Sequence, residues 1–307
     1  MDPIASINFE KDTTLALLLA AQKHGYEIFY MEQADLYLDN SEPYAKMGRL
    51  KVYDHPEKWF DLEKSSPQHL SQLDVILMRK DPPFDSEFIY STYILEAAER
   101  LGTVIVNRPQ SLRDCNEKVF ATHFPQCTPP LIVSRDQALL SAFLEDHEEV
   151  VYKPLYGMGG TSIFRVKLGD QNLNVILETL TADGKNTIMA QKYLPEITSG
   201  DKRILVVDGV VIPYCLARIP PKGEFRGNLA VGGTGLVKPL SERDLWIAEQ
   251  VSPVLKKKGL IFVGLDVIGD YLTEINVTSP TCVREIDKLH NTAIGETLMK
   301  AIEVRLG

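Results

Sequence analysis

The chain has 307 residues, of which 33 are basic and 42 acidic, and its formal net charge is −9. This length suits two or three packed units rather than one small core. The acidic balance, without a long basic run, argues against a nucleic-acid-binding surface. The four cysteines are far apart and form no C-x-x-C pair, which argues against a zinc knuckle and a disulfide framework.

The longest apolar stretch near the start, residues 15–21, is too short to span a bilayer. Glu10 and Asp12 precede it, whereas a signal peptide begins with basic residues. We therefore expect a cytoplasmic protein without membrane or nucleic-acid partners.

The first third of the sequence predicts an α/β unit. Its predicted elements are a helix at 13–24, a strand at 27–31, a strand at 75–78, a helix at 87–101 and a strand at 103–106. The last three form a strand-helix-strand unit, which implies a parallel sheet. Residues 39–67 are polar and contain three prolines, so we expect surface excursions there rather than core.

Beyond a proline-marked boundary at 125–130, the pattern changes to α+β. The predicted elements are strands at 131–133, 150–153, 188–192, 203–207 and 210–216, and helices at 136–146, 241–258 and 292–306. The turn Asp208-Gly209 predicts a hairpin. Ser241 suits the N-cap of its helix, whose acidic first turn and lysine-rich last turn match the helix dipole.

Residues 153–162 form the first of two glycine-rich segments. They follow a strand that ends in Lys153, and Gly157, Gly159 and Gly160 allow backbone amides to turn toward phosphate oxygens. The segment lacks the Gly-Lys-Ser of a Walker motif and the spacing of a Rossmann fingerprint. A flexible hairpin turn is the alternative, because glycine-rich turns are common.

Residues 219–235 form the second glycine-rich segment and are long for a structureless connection, so they are either functional or disordered. As a closing loop, the segment would bring Arg218, Lys222 and Arg226 over an anionic substrate and expel water from a labile intermediate. As a linker, it would stay exposed. The sequence favours neither alternative.

Residues 189–195 end a strand and turn at Pro195, which suits a hinge between domains. Backbone groups there could bind an adenine edge, and Tyr193 or Leu194 could cover its face. Taken in isolation, the segment fits better as a core strand with an exposed tail.

Residues 262–277 place Asp266, Glu274 and Asn276 on two alternating apolar runs. A three-residue loop at 269–271 puts Asp266 opposite Glu274 and leaves aliphatic side chains on the other face. A two-residue loop would mix carboxylates with aliphatic side chains on the same face. Two carboxylates and an amide oxygen suit Mg2+, which would offset the repulsion between the carboxylates. The alternative is a hairpin whose polar face meets water and binds no ion.

Lys118, Arg203 and Arg284 are scattered cations, each of which alone is more often a solvated or paired charge. Beside two phosphate-binding loops and a magnesium hairpin, however, they suit phosphoryl transfer, which relies on positioning and charge neutralisation. No Ser-His-Asp or Cys-His set stands out in the sequence.

Six motifs are distributed over nearly the whole chain. They are M-D-P-I at 1–4, I-L-M-R-K-D-P-P-F-D at 76–85, N-R-P-Q-S-L-R-D at 107–114, K-P at 153–154 with G-M-G-G at 157–160, G-D-K-R at 200–203 and T-E-I-N-V-T-S-P at 273–280. Together they resemble the bacterial glutathione synthetases of the ATP-grasp superfamily. The resemblance implies an N-terminal parallel-sheet domain at 1–114, a small lid domain at 115–192 and a C-terminal domain with the metal hairpin at 193–307.

The same resemblance implies an ATP-dependent ligase that uses Mg2+ or Mn2+ and joins γ-glutamylcysteine to glycine. The γ-phosphate of ATP would move to the cysteinyl carboxylate, and the amine of glycine would attack the acyl phosphate. A homo-oligomer, tetrameric as in the family, is also implied.

The resemblance also implies roles for individual residues. Asp266, Glu274 and Asn276 would hold the metal, and Arg203 and Arg218 would stabilise the charge on the acyl phosphate. The implied ATP contacts are Lys118, Lys153, Gly157, Gly159, Gly160, Gln191, Lys192, Tyr193, Leu194 and Asp201. The implied contacts to substrate carboxylates are Arg79, Arg226 and Arg284.

Family members usually begin with a short hydrophobic strand before the M-D-P-I turn, with which this sequence begins. We therefore expect the N-terminal sheet to lack its first strand, which would expose neighbouring strand edges and lower stability. Two alternatives share the fold. One is a non-catalytic ATP-binding regulatory protein, which is disfavoured because the metal and loop positions are present, and the other is a carboxylate-amine ligase with a different substrate pair.

Overall fold

The computed structural model describes residues 1–157, 159–227, 229, 232–290 and 292–307. Met158 and Asn228, which belong to the two glycine-rich segments, lie outside the described residues. The N-terminal elements are α1 (Thr13–Lys23), β1 (Ile28–Tyr30), β2 (Leu36–Asp39), β3 (Glu42–Val52), β4 (Phe60–Leu62), β5 (Ser66–His69), β6 (Val75–Leu77), α2 (Ser86–Arg100), β7 (Val104–Val106) and α3 (Pro109–Asp114).

The remaining elements build two antiparallel sheets and their covering helices. They are β8 (Leu131–Ser134), α4 (Gln137–His147), β9 (Glu149–Pro154), β10 (Phe164–Lys167), α5 (Leu173–Thr181), β11 (Ile188–Lys192), β12 (Asp201–Val207), β13 (Val210–Ile219), β14 (Thr234–Pro239), α6 (Glu242–Lys257), β15 (Phe262–Ile268), β16 (Tyr271–Asn276), α7 (Val283–His290) and α8 (Ile294–Leu306). The sequence did not predict α3, α5, α7, β10 and β14, nor the strands β2, β3, β4 and β5.

Helix caps fix the starts of two helices that matter for the site. The Asp12 carboxylate accepts a hydrogen bond from the Leu15 amide at the start of α1. Ser241 and Asp244 form a reciprocal capping box at the start of α6, as the sequence predicted for Ser241. Each cap satisfies amide groups that the first turn of a helix leaves without partners.

The N-terminal region is only partly the predicted parallel sheet. β6 pairs in parallel with β7, as the strand-helix-strand pattern implied. β1, however, pairs antiparallel with β3 and does not join that pair. A cavity of 140 Å³ lies between β1 and β6, lined by apolar residues of both strands and of α1 and α8.

The expectation that residues 39–67 are surface excursions was wrong. They contain the 11-residue strand β3, which pairs with β1, β2, β4 and β5. Ala45, Met47, Leu50 and Val52 of this strand are buried in the core. The prolines had suggested an irregular segment. Pro43, however, occupies the second position of the strand, where its missing N–H does not prevent pairing.

Three apolar clusters show how the segments pack. Two of them join residues of 1–114 to residues of the C-terminal sheet, whose strand order is β14-β13-β12-β15-β16. The third lies entirely within the sheet β10-β9-β11-β8 and helices α4 and α5. The small sheet thus has its own core and faces the C-terminal sheet across a cleft.

Among the described residues, no helix combines the length and the apolar character needed to cross a bilayer.

Candidate active site

A cavity of 340 Å³ lies between the small sheet and the C-terminal sheet. Sixteen of the eighteen residues singled out from the sequence line it, although they come from five separate parts of the chain. They are Lys118, Lys153, Gly157, Gly159, Gly160, Gln191, Lys192, Tyr193, Leu194, Asp201, Arg203, Arg218, Arg226, Asp266, Glu274 and Asn276. Arg79 and Arg284 are not part of this lining.

The hairpin of β15 and β16 places the proposed metal ligands on one face. Asp266 lies opposite Glu274, as predicted, and Asn276 lies two residues further along the same strand. The predicted three-residue loop was wrong, because Ile268 pairs with Tyr271 and leaves a two-residue turn. A bulge at Thr273 inserts one residue and restores the register, so the acidic side chains still share a face.

Asp266 is the centre of a buried charge network on the C-terminal sheet. Its carboxylate accepts hydrogen bonds from Arg203 Nε at 2.6 Å and Nη2 at 3.1 Å. Arg218 Nη2 lies 2.9 Å from the second oxygen. Burial alone would raise the pKa of Asp266, but the two guanidinium groups outweigh it and hold that pKa below its ordinary value.

Asp201 extends this network. Its carboxylate accepts a hydrogen bond from Arg218 through one oxygen, while the buried Oδ1 has no partner among the described residues. Burial raises the pKa of Asp201 to about 7 against the attraction of Arg218, and the nearby Asp266 charge adds to the rise. A buried acceptor without a partner is a place where a ligand hydroxyl or amine gains a hydrogen bond.

Two ammonium groups approach the other acidic ligand. Lys153 Nζ lies 3.6 Å and Lys118 Nζ 3.8 Å from Glu274 Oε1. Burial lowers the pKa of Lys153. Burial would also lower the pKa of Lys118, but Glu274 and Glu117 together raise it. Both amines face the cavity with positive charge available for phosphate oxygens.

Glu117 is a site residue that the sequence analysis missed. Its carboxylate pairs with Lys118, and its backbone oxygen accepts a hydrogen bond from the Ile275 amide at 2.8 Å. Burial raises the pKa of Glu117, and the neighbouring Glu274 raises it further. The only sequence signal was its position beside Lys118, since its hydrogen bond to β16 depends on the fold.

The two glycine-rich segments meet above the cavity. Gly157, Gly159 and Gly160 have positive φ angles of 102°, 68° and 79°, a conformation that suits residues without a side chain. Arg226 Nη1 donates to Gly160 O at 3.1 Å and so links the second segment to the first. A Cβ on Gly227 would lie 2.3 Å from Arg218 O, so a side chain there would push this segment away.

The residues expected at the hinge lie at the end of β11 and just beyond it. Gln191 is buried, and its side-chain oxygen accepts a hydrogen bond from Lys153 Nζ at 3.2 Å. The Gln191 amide nitrogen has no partner among the described residues. The Arg165 guanidinium stacks 3.8 Å from the ring centre of Tyr193, which holds this side chain at the cavity wall.

The polar side chains of the hairpin are chemically suited to a divalent cation. Its donors are two carboxylates and an amide, and Asn276 Nδ2 has no partner among the described residues, so no protein acceptor there fixes the amide's orientation. Each carboxylate oxygen of Asp266 retains acceptor capacity beside its guanidinium bonds. No group of three His, Cys, Asp or Glu side chains with metal-binding spacing occurs in the described part of the chain, so a cation here depends on the amide.

Comparison with known families agrees with this geometry. The family model for the prokaryotic glutathione synthetase N-terminal domain matches residues 1–113, and the model for the ATP-grasp domain of the same family matches residues 117–291. The chain belongs to the prokaryotic glutathione synthetase family. Members of this ATP-grasp family use ATP.

Individual relatives support the family assignment over the full chain. The glutathione synthetase of Pseudomonas aeruginosa is 64% identical over 306 residues, which cover 100% of this chain and 96% of that protein. The Escherichia coli glutathione synthetase is 61% identical over 306 residues and is covered to 97%. Among solved structures, the ATP-grasp ligase PsnB with minimal precursor, Mg and ADP has a TM-score of 0.62 at 15% identity, covering 95% of this chain and 93% of that one. That structural similarity confirms the ATP-grasp fold.

Proposed function

We propose that this protein ligates γ-glutamylcysteine to glycine at the expense of ATP, and that it forms the peptide bond through an acyl phosphate. The observation that carries the proposal is the convergence of four cations and the acidic hairpin in one cavity, in a chain of the glutathione synthetase family. The cations are Lys118, Lys153, Arg203 and Arg218.

The proposed reaction brings two anions together, the γ-phosphate of ATP and the cysteinyl carboxylate. Lys118 and Lys153 would bind the phosphates, with the backbone amides of the first glycine-rich segment around them. Gln191, Lys192, Tyr193 and Leu194 would contact the adenine, and Asp201 would accept a hydrogen bond from the ribose. Bound at Asp266, Glu274 and Asn276, Mg2+ would neutralise phosphate charge.

Arg203 and Arg218 would stabilise the charge that develops on the acyl phosphate. Their bonds to Asp266 fix both guanidinium groups before substrate arrives, so no reorganisation is needed during the reaction. Arg226 would hold the two glycine-rich segments together over the intermediate and keep water from hydrolysing it. The amine of glycine would then attack the carbonyl carbon and release phosphate.

The proposal is tested by phosphate release from purified protein with ATP, Mg2+, γ-glutamylcysteine and glycine, each omitted in turn. We expect release only with the complete mixture, together with formation of a thiol tripeptide detected by mass spectrometry. Phosphate release that ignores both amino-acid substrates would contradict the proposal. ATP binding without any turnover would favour a regulatory protein.

The proposal also includes the cellular compartment and the oligomeric state of the enzyme. We propose a cytoplasmic enzyme that works as a homo-oligomer, in line with the family resemblance. Sedimentation of the purified protein measures the number of subunits. A monomer at micromolar concentration would contradict the proposed homo-oligomer.

A further inference from the structure

Glu117 lines the main cavity but has no part in the reaction proposed above. It lies in the turn that follows α3, next to Lys118, and its carboxylate contacts the Lys118 ammonium directly. The Glu117 side chain is 20% exposed and that of Lys118 is 5% exposed. An ion pair in full contact with water contributes little, whereas a largely buried carboxylate restricts the position of the ammonium that it binds.

The backbone of this turn is fixed on both sides without the Glu117 carboxylate. Asn116 Oδ1 accepts a hydrogen bond from the Lys118 amide at 3.1 Å. Asn116 Nδ2 donates to Leu155 O at 2.9 Å, in the first glycine-rich segment. On the other side, the amide of Ile275 in β16 donates to Glu117 O at 2.8 Å. Replacing the carboxylate of Glu117 therefore leaves the turn in place and frees only the Lys118 ammonium.

The Lys118 ammonium lies between two carboxylates. It contacts Glu117, whereas 3.8 Å separates Lys118 Nζ from Glu274 Oε1, which is too long for a hydrogen bond. Lys153 Nζ lies 3.6 Å from the same oxygen and is also beyond hydrogen-bond distance. Glu117 thus keeps Lys118 at a distance from Glu274, whose oxygens stay available to a cation.

A direct role for Glu117 as a third acidic metal ligand does not fit the geometry. Within the described ranges of the chain, no three His, Cys, Asp or Glu side chains have the spacing to hold one metal ion. The Glu117 carboxylate is also bound to Lys118, whereas a ligand of Mg2+ needs a lone pair directed at the ion. Glu117 therefore influences the hairpin through Lys118.

We propose that Glu117 is a positioning residue, which holds the Lys118 ammonium away from Glu274 and so keeps that carboxylate free for Mg2+. This inference rests on the proposed function, which places Mg2+ at the hairpin and a nucleotide phosphate beside Lys118. Without the Glu117 carboxylate, the ammonium can move onto Glu274, where a charge-assisted hydrogen bond competes with Mg2+ for the same oxygens. The nucleotide is itself an anion, so neutralising Glu117 does not weaken its own attraction to the cavity.

Calorimetric titration with ADP at a series of Mg2+ concentrations tests the proposal without turnover. In the Glu117→Gln protein, we expect the Mg2+ concentration for half-maximal ADP binding to rise about tenfold, while ADP affinity in EDTA does not fall. Glu117→Asp keeps the charge on a shorter side chain, and its Mg2+ requirement should lie between these two. A wild-type Mg2+ requirement in Glu117→Gln would overturn the proposal. An equal loss of ADP affinity with and without Mg2+ would also overturn it, because that result indicates a structural role.

A double-mutant cycle separates an effect through Lys118 from the effect of the Glu117 charge itself. In a Lys118→Gln background, Glu117→Gln should leave the Mg2+ requirement unchanged, because no ammonium remains at that position to move onto Glu274. If the increase persists in that background, Glu117 acts on the cation through its own charge, and the proposal is wrong.

Asp114→Asn provides the matched control, because it removes an exposed carboxylate from the end of α3, just before the same turn. It should change neither the Mg2+ requirement nor the affinity for ADP. The outcomes for the two proposals are distinguishable. A wild-type protein that binds ADP with Mg2+ but releases no phosphate in the complete substrate mixture would reject the proposed function alone. A wild-type protein whose ADP binding is independent of Mg2+ would overturn this inference.

Discussion

Two groups of arginines with proposed roles in the reaction differ in how they are paired. Arg203 and Arg218 lie on central strands, and buried carboxylates of Asp266 and Asp201 hold them rigidly. Among the described residues, Arg284 has one ion-pair partner, the exposed Asp54, and keeps one buried nitrogen without a hydrogen-bond partner. Arg203 and Arg218, which we call the fixed end, are therefore held in advance by protein carboxylates. Arg284, the expected contact to a substrate carboxylate that we call the binding end, keeps a donor for that substrate.

Asp266→Asn tests the fixed end and should have the largest effect. The substitution leaves two buried guanidinium groups without a shared counter-charge, which costs about 3–5 kcal/mol of unfolding free energy. Turnover should fall at least about a thousandfold, because both the arginine geometry and one metal ligand are lost. Urea unfolding and phosphate release measure the two effects.

The matched control is Asp270→Asn, which neutralises an exposed carboxylate in the turn of the same hairpin. It should change stability by less than about 0.5 kcal/mol and leave turnover intact. An Asp266→Asn protein with wild-type stability would mean that the network is not what holds the two arginines.

Glu274→Gln separates metal binding from stability. Glu274 is partly exposed, and its partners Lys118 and Lys153 lie beyond hydrogen-bond distance, so unfolding free energy should change by less than about 1 kcal/mol. Turnover should fall about a hundredfold, and the Mg2+ concentration that gives half-maximal rate should rise. Equal losses of folding and turnover would contradict the proposed role of this carboxylate.

The raised pKa of Asp201, at the fixed end, predicts that the free energy of unfolding depends on pH. Burial raises its pKa to about 7 from an ordinary value of 3.8, so the folded state holds a proton that the unfolded chain releases. The stability from this group is present in full below the unfolded pKa and is lost as pH rises through about 7. Relative to Asp201→Asn, the wild type should lose roughly 2 kcal/mol between about pH 5 and about pH 8.

Chemical denaturation of both proteins at a series of pH values measures this loss. A constant difference in unfolding free energy across that range would show that Arg218 keeps Asp201 ionised throughout.

Asp54→Asn probes the binding end and should have the smallest effect. Its side chain is 63% exposed, and exposed ion pairs contribute about 0–1 kcal/mol. KM for γ-glutamylcysteine should change less than about threefold. A tenfold change would mean that Asp54, rather than the ligand, determines the position of Arg284.

Local patterns in the sequence predicted much of this molecule. Ser241 predicted the start of α6, the Asp208-Gly209 turn predicted the β12–β13 hairpin, and the alternation around Asp266 and Glu274 predicted their pairing. Each of these signals depends on residues close in sequence, and local backbone geometry is enough to produce them. The loop length at 269–271 was wrong because a bulge can absorb one residue and keep the same pairing.

The sequence alone determined which chemical groups this protein has: two carboxylates and an amide on one hairpin, a set of cations, and glycines where φ is positive. Only the tertiary structure decided that Glu117 pairs with Lys118 beside β16, that β3 is core, and that Arg79 and Arg284 do not line the main cavity. The physical reason is that burial and charge pairing depend on contacts between residues far apart in the chain. These contacts appear only when the sheets pack and water is excluded.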